Sequence, residues 1–484
     1  MTRLGLLILF FGVFFSGLAG STASAATALD NPVPEPILQG EIIVAVEPFV
    51  RVPQSVDSSK QHTNDAYARI QYLMPLGNTF GALIINDTRG ILYRTDDRAS
   101  SPSVYLDLRT ADVGFDDTMF PNEMGLSGMA FHPEFTAVGK PGFGKFYTAY
   151  STTTGSGTRP ADYLGDDAGS HESVVREWTA YNPRGRVFQG TSRELLRIGQ
   201  FAPNHNIGSI AFNPYAEVGS PDYGVLYIAL GDGGVANDPR DYGQQRHEPL
   251  AAILRILPLA AKGERAYGIP QDNPFVGVKG VAPEVWAYGL RNPQHFSWDS
   301  QGRMFIADIG QNQLEEVNLG QRGGNYGWRL REGTFATAMG AGEDSLGSVY
   351  DLPSDRDDLI DPIAQYDHDE GHAIGGGFVY QGSAIPELSG MYVFADLVNG
   401  RLFYFDASDI EPGQAAEKGQ LAKIYELRLS FAGEEKSLIE VSSFANSYQP
   451  GQRVDLRLGT DALGELYLLT KSDGWIRKLV PLRK

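Results

Sequence analysis

The sequence predicts an all-β protein, a six-bladed β-propeller of four-stranded antiparallel blades, and three observations carry that expectation. With Gly 57, Pro 28 and 11% aromatic residues, the chain turns often and packs rings between strands. A weak unit recurs six times at wide spacing: a small polar turn with glycine, an apolar and aromatic strand, then a second turn. Helical periodicity is scarce, its best candidate being a short stretch from Glu248 to Leu254. A β-sandwich is the competing all-β architecture, but it would not place similar strands so far apart.

The elements follow in chain order. Met1 to Ala25 carries one early arginine, an apolar run from Leu4 to Phe15 and small residues ending in Ala23-Ser24-Ala25, the pattern of a secretory signal. Ala26 to Ser59 is rich in proline and polar residues and reads as an extended arm across the surface; residues 60–484 read as the propeller. Its recurring strands are Thr88 to Asp96, Phe143 to Ser151, Tyr223 to Gly234, Gln301 to Gly310, Ser389 to Asp396 and Leu463 to Lys471. Each is alternating or continuously apolar over five or six residues, as the inner strands of a blade should be.

Composition narrows the function classes. The absence of cysteine excludes a disulfide framework, thiolate metal sites and a lipid anchor on cysteine, so stability rests on a large core or on bound ions. Lys+Arg 40 against Asp+Glu 59 gives a net charge of -19, which disfavours nucleic acid and anionic lipid surfaces and suits cations and neutral substrates. After the signal no segment has the unbroken apolar length of a membrane span, so the expected mature protein is exported, periplasmic or extracellular, without stable membrane insertion.

Three stretches could carry chemistry. In A-P-N-H-N-I-G-S-I-A-F, His205 ends a polar loop just before a strand. An imidazole there can accept a proton near neutral pH, although taken alone it is more simply a loop histidine bonded to backbone. In A-Y-G-L-R-N-P-Q-H-F, Arg291 beside Asn292 and Pro293 suits an anionic or carbonyl oxygen, or an ion pair within the loop. A-D-I-G-Q-N-Q-L-E-E-V-N followed by G-G-N-Y-G-W supplies carboxylates at Glu315 and Glu316, amides and freed carbonyls, an oxygen-rich set suited to Ca²⁺.

The loop G-D-G-G-V-A-N-D-P-R-D, Gly231 to Asp241, reads as a solvated turn or an ion site, and the acidic run Asp351 to His372 as a solvated loop. His368 and His372 have zinc-like spacing, but Gly371 and the polar setting argue against the helix that spacing needs. No nucleophile elbow, P-loop or dinucleotide fingerprint is present, which leaves nucleotide chemistry little support.

Taken in order, the motifs G-L-S-G-M-A-F-H-P-E-F, N-H-N-I-G-S-I-A-F-N-P, G-D-G-G, Y-G-L-R-N-P-Q, D-I-G-Q-N-Q-L-E-E-V-N, G-G-N-Y-G-W and G-R-L-F resemble the glucose/sorbosone dehydrogenase family. The resemblance runs from about Ile70 to the C-terminus. It implies a six-bladed propeller that uses pyrroloquinoline quinone (PQQ) with Ca²⁺, a sugar substrate and an external electron acceptor. By that resemblance His205 is the base that deprotonates the anomeric hydroxyl, with Asn204 its neighbour. Arg291 and Asn292 contact the cofactor's oxygens, and Glu123 falls where a cofactor-facing Gln or Glu is usual. The carbonyls of Gly310 and Gln311 match ligands of the cofactor-bound calcium, and Glu316 and Tyr326 match backbone contributors to a second calcium site.

The pattern departs at the R-x-R-D motif, whose two arginines hold the cofactor's carboxylates. Here the stretch is Q-R-V-D, Gln452 to Asp455, with neither arginine in register; Arg453, Arg457 and Arg401 are the candidate substitutes. Ser209 likewise stands where a larger polar residue is usual. Two lost charge-assisted contacts of roughly 1.5 to 3 kcal/mol each would weaken cofactor binding by roughly two to four orders of magnitude. The leading expectation is therefore a PQQ- and Ca²⁺-dependent oxidation of an aldose to its lactone. A non-catalytic calcium-binding propeller for carbohydrate or protein is the second, and a Ca²⁺-dependent lactonase the third.

Overall fold

A computed structural model describes residues 26–483 apart from 57–65, 78–80, 121, 158, 166–168, 262, 264, 352–357, 411–420 and 443–452. The expected signal, the boundary at residues 59 and 60, part of the acidic run and Gln452 lie outside the described residues.

Six blades follow one another around a ring. The first runs Ile70–Pro75, Ala82–Asp87, Ile91–Asp96 and Ser103–Asp107, the second Leu126–Phe131, Lys145–Thr152, His171–Ala180 and Gly190–Gln200. Ile207–Phe212, Leu226–Leu230, Ala252–Ile256 and Val285–Tyr288 form the third, and Pro293–Trp298, Met304–Asp308, Leu314–Leu319 and Ala364–Asp367 the fourth. The fifth comprises Ile374–Val379, Met391–Asp396, Leu402–Asp406 and Tyr425–Phe431. The sixth takes only Leu456–Thr460, Leu466–Thr470 and Trp475–Val480 from the C-terminal end.

The missing outer strand of the sixth blade comes from the other end of the chain. Leu38–Arg51 pairs antiparallel with Trp475–Val480 through Ala45 to Arg51, and parallel with Tyr425–Phe431 through Leu38 to Ala45. The region read as a surface arm thus contains the strand that closes the ring. The reason is visible in E-I-I-V-A-V-E: Val44 and Val46 are buried while Glu41 and Glu47 face out, a period of two hidden between prolines. Pro48 is tolerated because the register shifts between Pro48 and Val50.

Five of the six recurring sequence units are second strands of their blades. The sixth, Thr88 to Asp96, contains the third strand of the first blade, whose second strand is Ala82–Asp87. The expected helix near Glu248 is instead an approach to a strand: Ala251 has φ 55°, and Ala252–Ile256 pairs on both sides within the third blade. Its run A-A-I-L-R-I is apolar without helical period because both faces are buried.

Innermost strands pack against one another around the axis. At Gly208 a Cβ would come within 2.6 Å of the Pro293 carbonyl, so only glycine lets the third and fourth blades approach there. Between blades the cores are aliphatic and aromatic, as where Tyr147, Leu196 and Ile198 meet Ile210, Ile228 and Leu254. Between the third and outer strands of the fourth blade lies a small sheet of Arg331–Glu332, Phe335–Thr337 and Val349–Tyr350, which overhangs the end of the ring where the candidate residues gather. No described helix is long and apolar enough to cross a membrane.

Candidate functional site

The loops that lead into the innermost strands converge at one end of the ring, carrying Arg69, Glu123, His205, Arg291 and Asp455 from successive blades. Contacts between them fix that convergence: the His205 amide donates to Glu123 at 2.8 Å, and the Asp232 amide donates to the Arg291 carbonyl at 2.9 Å.

His205 is buried and adopts φ 53°, a left-handed conformation costly for a residue with a side chain. Its Nδ1 lies 2.6 Å from Asp232 Oδ1. Asp232 is fully enclosed; its Oδ1 also accepts the Gly234 amide at 2.9 Å, and its Oδ2 accepts Trp328 Nε1 at 2.8 Å. A carboxylate on Nδ1 keeps the proton there and leaves Nε2 as the acceptor, the tautomer a base needs. Among the described residues no protein group bonds Nε2.

Asp232 is the residue of this cluster that sequence reasoning missed. It sits in G-D-G-G, taken for a solvated turn, but Gly231 lies so close to His205 that a Cβ would come within 2.7 Å of its carbonyl. The same loop holds Val235, Asn237, Asp238 and Asp241 at positive φ, an unusual density of left-handed residues without glycine. Asp238 accepts the amides of Tyr242 and Gly243 at 3.0 and 2.7 Å, while burial and neighbouring Asp232 push its carboxyl up to about 6.

Arg291 lies beside this pair, its guanidinium centre 5.5 Å from the Trp328 ring centre. Its Nη1 donates to the carbonyls of Ile309 at 3.0 Å and Gly310 at 2.6 Å, and Nε is buried without a partner. The Gly310 carbonyl, expected on calcium, is therefore engaged by a guanidinium. Asp308 fixes the turn by accepting the amides of Arg291 and Asn292, and Asn292 Oδ1 accepts Gln294 Nε2 at 3.1 Å. Asn204 is half-buried against Gly234, whose added Cβ would meet Asn204 Oδ1 at 2.1 Å.

The oxygen-rich loop is organised by a second missed residue, Glu332. Its Oε1 faces the amides of Gln311, Asn312, Gln313 and Leu314 at 2.7, 3.0, 2.9 and 3.0 Å, so this loop wraps an internal carboxylate. The Gln311 side chain locks to Asn237, its Nε2 donating to Asn237 Oδ1 at 2.7 Å. Glu316 is buried, its side chain accepting from Gly333 N and Asn318 Nδ2, and burial raises its pKa. The Tyr326 carbonyl accepts Arg331 Nε at 3.2 Å, and its hydroxyl donates to the Leu319 carbonyl at 2.8 Å. Both oxygens that Tyr326 offers are thus satisfied by protein, and its neighbourhood does not fit a second calcium.

Across the mouth, the first and sixth blades gather Arg69, Arg453, Arg457 and Lys471 around Asp455. Arg453 pairs with Asp455, and Lys471 Nζ donates to Gln71 Oε1 at 3.0 Å. Arg457 reaches the Gly375 carbonyl at 3.3 Å and Gln294 Oε1 at 3.4 Å, with Nε buried and unpartnered. Burial pushes Asp455 up, but Arg453, Lys471 and Arg69 hold it below its ordinary value. Burial, with Arg457 beside it, pushes the Lys471 ammonium well below its own. Burial also lowers Arg457 and Arg69, against the opposing pull of Asp455 on both. One orphaned donor, Arg457 Nε, among crowded cations fits a ligand with several carboxylates, as PQQ has.

Arg401 does not belong to this group. It lies at the turn between the second and third strands of the fifth blade, where Glu370 at 2.6 Å and Glu426 at 2.8 Å take its guanidinium, so the residue expected at the cofactor is paired here with two carboxylates. His368 bonds Glu315 at 3.0 Å. Among the described residues no three His, Asp or Glu side chains are arranged to hold a metal ion.

Comparison with known proteins agrees with this architecture. The family model described as Glucose / Sorbosone dehydrogenase matches residues 81–433. The HIPL1 protein of Arabidopsis thaliana is 30% identical over 403 residues, covering 76% of this chain and 55% of that protein. The Hedgehog-interacting protein of Mus musculus is 26% identical over 358 residues, covering 72% of this chain and 41% of that protein. The chain spans about half the length of these curated relatives. The PQQ-bound aldose sugar dehydrogenase of Streptomyces coelicolor shares the fold with a TM-score of 0.54 at 20% identity, over 90% of this chain and 98% of that one.

Proposed function

This chain belongs to the glucose/sorbosone dehydrogenase family, and from that premise we propose that it is an exported sugar dehydrogenase that oxidises an aldose to its lactone with PQQ and an external electron acceptor. The observation that carries the reading is the buried His205–Asp232 pair, 2.6 Å apart at the mouth of the ring.

His205 Nε2 takes the proton of the sugar's anomeric hydroxyl as its oxygen becomes a carbonyl. Asp232 holds the ring by Nδ1 and stabilises the imidazolium that forms, while Trp328 and Gly234 keep that carboxylate from turning away. Bound PQQ would supply the two-electron sink, accepting hydride from the anomeric carbon. Arg69, Arg453, Arg457 and Lys471 would hold its carboxylates in place of the arginine pair absent from Q-R-V-D, and Arg291 and Asn292 would face its quinone oxygens. Such a ligand relieves their mutual repulsion, which supports the assignment despite the missing motif.

The test is dye-linked aldose oxidation by the PQQ-loaded protein. His205→Gln lowers the rate roughly 10²- to 10⁴-fold and leaves PQQ affinity unchanged; an unimpaired His205→Gln removes His205 as the base. A propeller that binds another protein through this face is the second reading, favoured by the likeness to a Hedgehog-interacting protein. The two part on whether PQQ binds.

A further inference from the structure

Arg331 occupies an enclosed place in the overhanging sheet of the fourth blade, 1% exposed, in the run G-W-R-L-R-E-G. Its Nε donates to the Tyr326 carbonyl at 3.2 Å and its Nη1 to Asp361 Oδ1 at 2.6 Å. Glu316 lies close enough that Arg331 favours its charged form. The arginine stem runs over Gly327, where an added Cβ would lie 2.5 Å from Arg331 Cγ. Glycine at φ 94° both makes the turn and leaves room for the stem, while Arg331 Nη2 is buried without a partner.

Glu316 and Tyr326 are the two residues expected at a second calcium. Calcium takes six to eight oxygens at about 2.3–2.6 Å, with carboxylates and backbone carbonyls preferred. Here the Tyr326 carbonyl and one Asp361 oxygen are turned onto nitrogen instead. The two Glu316 oxygens accept from the Gly333 amide and Asn318 Nδ2. One Glu332 oxygen is committed to four loop amides. A guanidinium suits this set, being permanently charged, weakly hydrated and able to reach a carbonyl and a carboxylate from one plane.

We propose that Arg331 is a built-in replacement for a structural divalent cation, so that Glu316, Tyr326 and Asp361 hold their places without metal. The charge that elsewhere would be recruited from solution is carried by the chain. One consequence reaches the mouth of the ring: Trp328, two residues from Tyr326 and bonded to Asp232, keeps its place whatever the calcium concentration.

The experiment is thermal unfolding of the full-length, cofactor-free protein in excess chelator and in millimolar calcium, followed by Trp fluorescence, with wild type, Arg331→Ala and Asp361→Asn. Wild type melts at the same temperature in both solutions. Arg331→Ala melts lower by roughly 5 °C or more, as expected for losing one partner of a buried pair, and calcium returns part of that loss. Calcium stabilisation of wild type that disappears in Asp361→Asn overturns the proposal. Stabilisation that survives Asp361→Asn comes from ions elsewhere and leaves the place of Arg331 free of metal, as proposed. The wild-type comparison stands even where Arg331→Ala does not fold.

Discussion

The two sides of the propeller's mouth handle buried charge in opposite ways. On the third and fourth blades, Asp232 is matched by His205, Trp328 and a backbone amide, and every partner is in place before any ligand arrives. Asp455, on the sixth blade, faces Arg69, Arg453, Arg457 and Lys471, with Arg457 Nε left without a partner. On the proposed reading the first side moves a proton, while the second holds positive charge that a bound anion would compensate. Preorganisation and ligand dependence are thus separated onto different blades.

That contrast breaks most sharply at Asp232. Asp232→Asn should lower turnover of the PQQ-loaded protein by roughly 10²-fold or more, because the amide no longer selects the tautomer that leaves Nε2 free. It should also lower the melting temperature of the free protein, since His205 and Trp328 lose a charged partner. Steady-state kinetics and a thermal melt check both; a variant with normal turnover would make Asp232 a packing residue.

The opposite side should respond in the opposite direction. Lys471→Met and Arg457→Met should each weaken PQQ binding about 10- to 100-fold, the value of one charge-assisted contact. Lys471→Met should nevertheless stabilise the free protein by about 1–4 kcal/mol, because it removes an enclosed cation from among other cations.

The sign with pH follows from the depressed Lys471 ammonium. Between its folded value and the ordinary 10.5, the unfolded chain binds a proton that the folded chain does not, so wild-type stability rises with pH across that window. The advantage of Lys471→Met should therefore shrink as pH rises through that window and be gone above about 10.5. A destabilised Lys471→Met at neutral pH would remove the distinction between the two sides.

Much of this was legible in the sequence, but unevenly. Strands such as L-Y-I-A-L and M-F-I-A-D announce themselves because both faces are buried, and the family resemblance located His205 and Arg291 residue by residue. The closing strand Leu38–Arg51 was not legible as such, since its partners are the last strand of the sixth blade and the outer strand of the fifth, and no local pattern encodes so distant a pairing. Asp232 and Glu332 were missed for a related reason. A carboxylate in a glycine turn looks solvated until the fold encloses it, and nothing in R-E-G declares that four amides will close around it. Arg401 shows the converse: a cation beside a matching motif was assigned to a ligand, but Glu370 and Glu426 had already taken it.

The central claim, that the cation-rich side replaces the missing arginine pair and holds PQQ, is tested most directly by calorimetric titration of PQQ into the purified protein, with Arg457→Met alongside. Micromolar or tighter binding that weakens at least tenfold in Arg457→Met is the predicted result. No binding at millimolar PQQ would contradict it and leave the mouth of the ring to a protein or carbohydrate partner.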